Sequence, residues 1–196
     1  MVGHNKIKCP IEIKNVDTFT KEILQELYSL HKKNVNGILD IKRKTGLSLR
    51  LPCFPDYISE NIIKFIIHNK LHDNTSTWQC VGDLFSKKEG IQECKCFTSD
   101  GPLSFSPSSD WNVIYFLDAT NWLNDHLILY RIQLKKTSIE WKNIKVNKSE
   151  IFEDHVNKGV RPRITWDMLY PQIEPHCNKV YEGSFEDIFI LDEIKE

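Results

Sequence analysis

Asp83, Glu93 and Lys95 stand on two short segments joined by Lys87-Lys88-Glu89-Gly90. Both segments follow a period of two, which predicts two strands and a tight turn, that is, a β-hairpin. Residues i and i+2 of a strand project to the same side, so Glu93 and Lys95 point together. The hairpin brings the carboxylate of Asp83 beside that of Glu93. Two converging carboxylates are hard oxygen ligands of the kind that Mg²⁺ prefers.

A metal ion and a lysine at one site have the chemistry that phosphodiester hydrolysis requires. The ion polarises a phosphate and lowers the pKa of a bound water. An ammonium group two residues from the metal-binding glutamate can orient that water and stabilise negative charge in the transition state. We expect Asp83, Glu93 and the backbone carbonyl of Cys94 to bind the metal, with Lys95 beside it.

In a lysine-rich chain, an Asp followed by Glu-x-Lys also occurs by chance, so the spacing alone does not establish a catalytic motif. Asp40-Ile41-Lys42 has the same short form, but no acidic residue is correctly placed on a strand before it. The competing interpretation of Asp83, Glu93 and Lys95 is a surface hairpin with ordinary charges. Two predicted strands, the turn between them and a helix before them favour the catalytic interpretation.

Two helices are predicted before the hairpin. Asp17 can cap a helix that runs to about Lys33, and a loop containing Asn36-Gly37 follows it. Pro52 and Pro55 then break the chain before a second helix, at about 59–71. Its apolar stripe is wide enough for burial on most sides.

The hairpin and the segments after it predict a mixed α/β or α+β domain spanning 1–196. The predicted strands are Trp78–Phe85, Ile91–Thr98, Val113–Ala119 and His126–Leu134, and the predicted later helices are Phe152–Lys158 and Thr165–Ile173. No repeat or linker divides the chain, so we expect one domain with its catalytic core at about 55–135.

Around the hairpin the chain resembles the PD-(D/E)xK nuclease superfamily, and type II restriction endonucleases in particular. The matching segments are Gly82-Asp83-Leu84 and Ile91-Gln92-Glu93-Cys94-Lys95-Cys96-Phe97, with Gly82 where the family has proline. The resemblance implies a restriction-endonuclease-like core, a central mixed β-sheet flanked by helices. It also implies Mg²⁺-dependent cleavage of double-stranded DNA, with Mn²⁺ able to substitute, to a 5′-phosphate and a 3′-hydroxyl.

The resemblance has further implications for the site and for partners. In many members an acid on the preceding helix joins the site, and Glu60 matches that position; the alternative places Glu60 in an N-terminal capping turn. A homodimer would match the two-fold symmetry of a palindromic site. A cognate DNA methyltransferase would protect host DNA.

Charge is segregated along a chain of net charge −1. A basic stretch at 32–50, a second basic cluster at 158–163 and an acidic tail at 182–196 suggest one face that attracts a polyanion. The hydroxyl-rich loop after the second hairpin strand is placed to line a DNA groove. The candidate DNA-binding residues are Lys42, Arg43, Lys44, Ser104, Ser106, Lys158, Arg161 and Arg163; the competing interpretation is solvated surface.

Other classes of protein are less well supported. Six cysteines show no Cys-x-x-Cys pair, and the histidines show no grouping typical of a zinc site or a histidine-metal nuclease. No apolar run is long enough to cross a bilayer, and the polar start lacks the apolar core of a secretory signal, so we expect a cytoplasmic protein with no membrane association. Two alternatives stay open: a repair, structure-specific or nicking nuclease of the same fold, and a non-catalytic DNA-binding protein.

Overall fold

The computed structural model describes residues 19–78 and 83–191. The helices are α1 Lys21–Thr45, α2 Asp56–Lys70, α3 Ile139–Lys142, α4 Phe152–Asn157 and α5 Trp166–Ile173. The strands are β1 Thr77–Trp78, β2 Leu84–Ser86, β3 Gly90–Phe97, β4 Leu103–Ser104, β5 Val113–Asp118, β6 Leu127–Ile132, β7 Arg163–Ile164 and β8 Cys177–Gly183. Short 3₁₀ helices span Trp122–Asn124, Glu174–His176 and Glu186–Phe189.

Helix α1 is longer than the sequence predicts. It continues through Asn36-Gly37 to Thr45, so the predicted end near Lys33 and the loop at Asn36-Gly37 are wrong. Glycine inside a helix costs about 1 kcal/mol, which burial on the same helix outweighs. Val35, only 2 % exposed, anchors the helix to the core two residues beyond the predicted end.

The two ends of α1 have clear local signals. The hydroxyl of Thr20 caps the start, where it accepts the N–H of Ile23 at 3.4 Å. The predicted cap, Asp17, lies outside the described residues. At the other end Gly46 adopts φ 69°, a left-handed conformation that glycine takes at little cost, and its N–H bonds the carbonyl of Lys42.

Helix α2 begins three residues before the predicted start. Pro55 is its extended N-cap residue and Asp56 occupies the first turn. The predicted apolar stripe is buried, since Ile62 and Ile66 have no exposed surface. The earlier start moves Glu60 out of the first turn, which removes the capping interpretation of that residue.

The central sheet has six strands in the order β1-β2-β3-β5-β6-β8. Strands β3 and β5 run parallel, and every other neighbouring pair is antiparallel. The prediction of a central mixed sheet flanked by helices is therefore confirmed. The prediction of one strand over Trp78–Phe85 is wrong: its two ends lie in β1 and β2, which pair antiparallel with each other, Trp78 opposite Leu84, while 79–82 lie outside the described residues.

Each face of the sheet carries its own apolar core, which explains why β5 is buried from Val113 to Leu117. Val113, Tyr115 and Leu117 face a cluster formed with α1, α2 and the C-terminal 3₁₀ helix. Ile114 and Phe116 face a second cluster, formed with α3, α4 and α5. The site residues of β3 therefore sit in a strand that is held on both sides.

Four elements, α3, β4, β7 and β8, are not among those that the sequence predicts. Helix α3 has only four residues, and β8 is a mostly exposed edge strand with a weak apolar signal. Strands β4 and β7 form a separate two-stranded ribbon, in which Leu103 pairs with Ile164. None of the described helices combines the length and the apolar character needed to span a membrane.

Candidate active site

The hairpin of β2 and β3 places the predicted acids side by side. Leu84 pairs with Gln92, so Asp83 stands opposite Glu93. The N–H of Asp83 donates to the carbonyl of Gln92 at 3.2 Å. Its Oδ2 accepts the N–H of Cys94 at 2.7 Å. These two bonds fix the Asp83 carboxylate against β3 and beside Glu93.

Glu93 and Lys95 project from the same face of β3, as predicted. Lys95 Nζ donates to Glu93 Oε1 at 2.5 Å. Glu93 is 3 % exposed, and its burial raises its pKa despite the neighbouring ammonium of Lys95. Burial alone would lower the pKa of Lys95, but the pairing with Glu93 outweighs it and raises that pKa. Lys95 is therefore a protonated cation at neutral pH.

Glu60 lies in the second turn of α2 and shares this environment. Burial, together with the negative charges of Asp83 and Asp56, raises the pKa of Glu60 to about 8. Within the described residues its carboxylate has no hydrogen-bond or ion-pair partner. Burial also raises the pKa of Asp83, opposed by the Cys94 N–H and by Lys95. The carboxylates of Glu60 and Asp83 thus repel each other in a site with little access to water.

Glu60, Asp83 and Lys95 line a cleft of about 560 Å³, while Glu93 lies buried behind Lys95 and outside the lining. Its walls come from the start of α2, the carboxyl-terminal half of β3 and the loop leading to β4. Arg50 and Asp56 also line it, and neither was selected from the sequence. The sequence did hold a signal for Arg50, which is the last residue of the basic stretch. Pro52 and Pro55 follow it and mark the start of α2, so the basic stretch ends directly before that helix.

A buried polar network supports the hairpin from the opposite face. Glu89, in the turn, accepts the hydroxyl of Tyr115 at 2.7 Å, the amide of Gln92 at 2.7 Å and the Nε–H of Arg131 at 2.7 Å. A second guanidinium nitrogen of Arg131 lies 2.5 Å from the same carboxylate. The turn that sets the spacing of Asp83 and Glu93 is therefore tied to β5 and β6.

The ribbon brings two of the predicted DNA-binding segments together. Ser104, which lines the cleft, pairs with Arg163 across the ribbon. The carbonyl of Pro162 also accepts the N–H of Phe105 at 3.1 Å. Arg161 and Arg163 are exposed, while Pro162 between them is buried. Arg163 thus lies exposed on β7 next to the cleft, and Arg161 lies exposed two residues before it.

Other predicted contacts lie apart from the cleft or have protein partners. Lys158 Nζ donates to Glu150 at 2.6 Å, and Arg43 pairs with Asp40 at 3.0 Å. Lys42 and Lys44 lie with Arg43 in the last turn of α1. The Ser106 hydroxyl is 3.0 Å from that of Ser108. The structure does not bring these residues into the cleft lining that contains Ser104.

Comparison with known proteins identifies the family to which the chain belongs. A family profile described as Bsp6I restriction endonuclease matches residues 17–169, which include the whole hairpin and α2. The chain belongs to the Bsp6I restriction endonuclease family. It is therefore a deoxyribonuclease, and the prediction of a type II restriction enzyme is confirmed.

A curated relative agrees with this assignment. The type II restriction enzyme Bsp6I of Bacillus sp. (strain RFL6) is 28 % identical over 136 residues, which cover 68 % of this chain and 71 % of the relative. No solved structure matches this member of the Bsp6I restriction endonuclease family significantly.

The donor set of the site suits a hard cation, although the described residues contain no group of three or more His, Cys, Asp or Glu side chains arranged to hold a metal. Hydrogen bonds within the described part of the chain engage only Oδ2 of Asp83 and Oε1 of Glu93. Each carboxylate thus keeps a second oxygen, and a cation would stabilise the charged form of both groups, whose pKa values are raised mainly by burial and further by neighbouring acids. Two carboxylates, a carbonyl and waters are a common ligand set for Mg²⁺.

Proposed function

We propose that this restriction enzyme hydrolyses phosphodiester bonds of double-stranded DNA at specific sites, with Mg²⁺, and that it belongs to the PD-(D/E)xK superfamily. One observation carries the proposal: Asp83 stands opposite Glu93, which is bonded to Lys95, and Asp83 and Lys95 line one cleft. This is the arrangement of acids and lysine that the superfamily motif requires.

Asp83, Glu93 and the carbonyl of Cys94 would hold the metal, and Mn²⁺ could replace Mg²⁺. When bound, the cation supplies Lewis-acid polarisation of the phosphate and acidifies a water. Oxygen donors at this position account for the preference for a hard cation over zinc.

The protein's own groups provide the rest of the proposed chemistry. Lys95 Nζ, protonated and held by Glu93, stabilises negative charge on the phosphate oxygens. Glu60 has a pKa of about 8, within the range in which a carboxyl group exchanges protons efficiently near neutral pH. We propose that Glu60 accepts a hydrogen bond, and then a proton, from the attacking water.

DNA binding and assembly complete the proposal. Arg161, Arg163 and Ser104 form the DNA-contacting ribbon, with further contacts from the remaining predicted residues Lys42, Arg43, Lys44, Ser106 and Lys158. A homodimer would present two clefts to the two strands of a palindromic site. The enzyme acts in the cytoplasm beside a cognate methyltransferase.

The decisive experiment incubates the purified protein with unmethylated phage DNA and Mg²⁺, beside an EDTA control. Discrete fragments that need the metal are expected, and mapping their ends gives the recognition site. A smear would point to a structure-specific or non-specific nuclease, and uncut DNA that is still bound would point to a non-catalytic binding protein.

The same assay tests the assigned residues. Lys95→Ala and Asp83→Asn should each lower the cleavage rate by about 10³-fold, because several kcal/mol of charge stabilisation is lost. Lys87→Ala is the matched control, since Lys87 is exposed in the hairpin turn and absent from the cleft. Unchanged cleavage by Lys95→Ala would show that the active site lies elsewhere.

A further inference from the structure

Arg50 is a cation in the cleft with no role in the chemistry described above. It lines the cleft together with Asp56, Glu60, Asp83 and Lys95. Its side chain is exposed, and no ion pair or hydrogen bond within residues 19–78 and 83–191 engages it. An arginine that faces a group of acids without pairing to any of them is free to bind an anion from outside.

The backbone next to Arg50 is held against the core, and this fixes the position of Arg50 at the cleft. Leu51 packs against the core on the α2 side of the sheet, and Phe54, 7 % exposed, is part of that core. Pro52 and Pro55 restrict the chain between Arg50 and α2. The connection from α1 to α2 thus presents Arg50 at the edge of the cleft from a fixed backbone.

The charged residues that line the cleft indicate a role for Arg50. Among the described residues that line it, Asp56, Glu60 and Asp83 are acids, and the cations are Arg50 and Lys95. Lys95 is paired with Glu93 at 2.5 Å, so its charge is largely compensated within the protein. The proposed Mg²⁺ would serve the phosphate that is cleaved, so a neighbouring phosphate in this acidic cleft is repelled unless another uncompensated cation receives it.

We propose that Arg50 binds a phosphate of the DNA strand in the catalytic cleft, next to the phosphate that is cleaved. This inference rests on the proposed function. The planar guanidinium can bond two phosphate oxygens at once, which fixes the position of the strand as well as attracting it. Arg50 is thus a positioning residue, and its contact is the same for every base sequence.

Binding is measured without cutting, by placing every variant in the Lys95→Ala background and titrating a labelled duplex that contains the mapped site. Arg50→Ala should weaken binding by about 10-fold or more and reduce the slope of log K against log salt by about 0.9, the value for one phosphate contact. Arg50→Lys should restore the slope of log K against log salt, because the positive charge is kept. It should recover only part of the affinity, since lysine cannot bond two phosphate oxygens in the way that the guanidinium does. Lys87→Ala is the control and should change neither quantity.

In the otherwise wild-type enzyme, Arg50→Ala should lower cleavage of cognate and non-cognate duplexes by similar factors, so that sequence discrimination is kept. An unchanged salt slope for Arg50→Ala, in a variant with a wild-type circular dichroism spectrum, would overturn the inference. If Arg50→Ala fails to fold, Arg50→Gln, which keeps most of the aliphatic stem, replaces it under the same criteria. Failure of the wild-type chain to cut DNA would instead refute the proposed function.

Discussion

Replacing Glu60 with glutamine should stabilise the protein, but only at high pH. The pKa of Glu60 is raised from 4.5 to about 8 in the folded protein by burial and by the charges of Asp83 and Asp56. A carboxyl group whose pKa is higher in the folded state binds more protons when folded than when unfolded, so stability falls as the pH rises. The destabilisation is absent below pH 4.5, grows through neutral pH and is complete above pH 8.

The size of the effect follows from the shift. At about 1.4 kcal/mol per pH unit, a shift from 4.5 to about 8 corresponds to an upper limit near 5 kcal/mol. Glu60 is partly exposed, and water together with side-chain relaxation reduces the penalty. We therefore expect Glu60→Gln to gain about 1–3 kcal/mol of unfolding free energy at pH 9 relative to the wild type, and little at pH 5.

Urea unfolding at pH 5, 7 and 9, with EDTA present, measures this difference. Glu26→Gln, an exposed glutamate on α1, is the matched control and should give a difference that does not grow with pH. The reasoning is refuted if Glu60→Gln changes stability by the same amount at all three pH values, because the carboxylate would then not be held in a repulsive environment. DNA cleavage by Glu60→Gln should fall although the protein is more stable.

Three stability predictions concern the framework of the site and are measured by urea unfolding. Gly90→Ala should destabilise by about 2–3 kcal/mol, because Gly90 has φ 78° and a Cβ would collide with Asn112 Oδ1. Gly37→Ala, in the middle of α1 with open space around it, should stabilise by about 0.5–1 kcal/mol, and the opposite sign would contradict the helix through Asn36-Gly37. Glu89→Ala should destabilise by about 3–5 kcal/mol, since it leaves Arg131 buried without its partner; a loss below 1 kcal/mol would show that the network does not support the hairpin.

The hairpin of β2 and β3 was predictable because its signals are local. Alternation along β3 sets the faces of Glu93 and Lys95, and the short turn sets the position of Asp83 opposite Glu93. Both follow from the period of a strand and the length of a turn. The structure places Glu93 and Lys95 together on β3, and places Asp83, one residue before β2, opposite Glu93.

What the sequence did not predict depends on distant packing. The end of α1 was misplaced because Asn36-Gly37 is a strong local turn signal that the burial of Val35 overrides. The ribbon pairs Ser104 with Arg163. No local sequence pattern predicts pairing between two segments that lie so far apart along the chain. Arg50 enters the cleft only because the connection between α1 and α2 folds back against the core.

The position of β8 at the edge of the central sheet has a consequence for folding during protein synthesis. Ile132, on β6, pairs with Cys177, so a growing chain exposes the open edge of β6 until the final strand has been synthesised. Tyr181 and Phe185 then close the core on the α2 side from the same late segment. An unpaired strand edge next to an open apolar surface is a site for association with other chains. Slow translation through α4 and α5 should therefore favour aggregation of this enzyme, and rapid completion of β8 should protect against it.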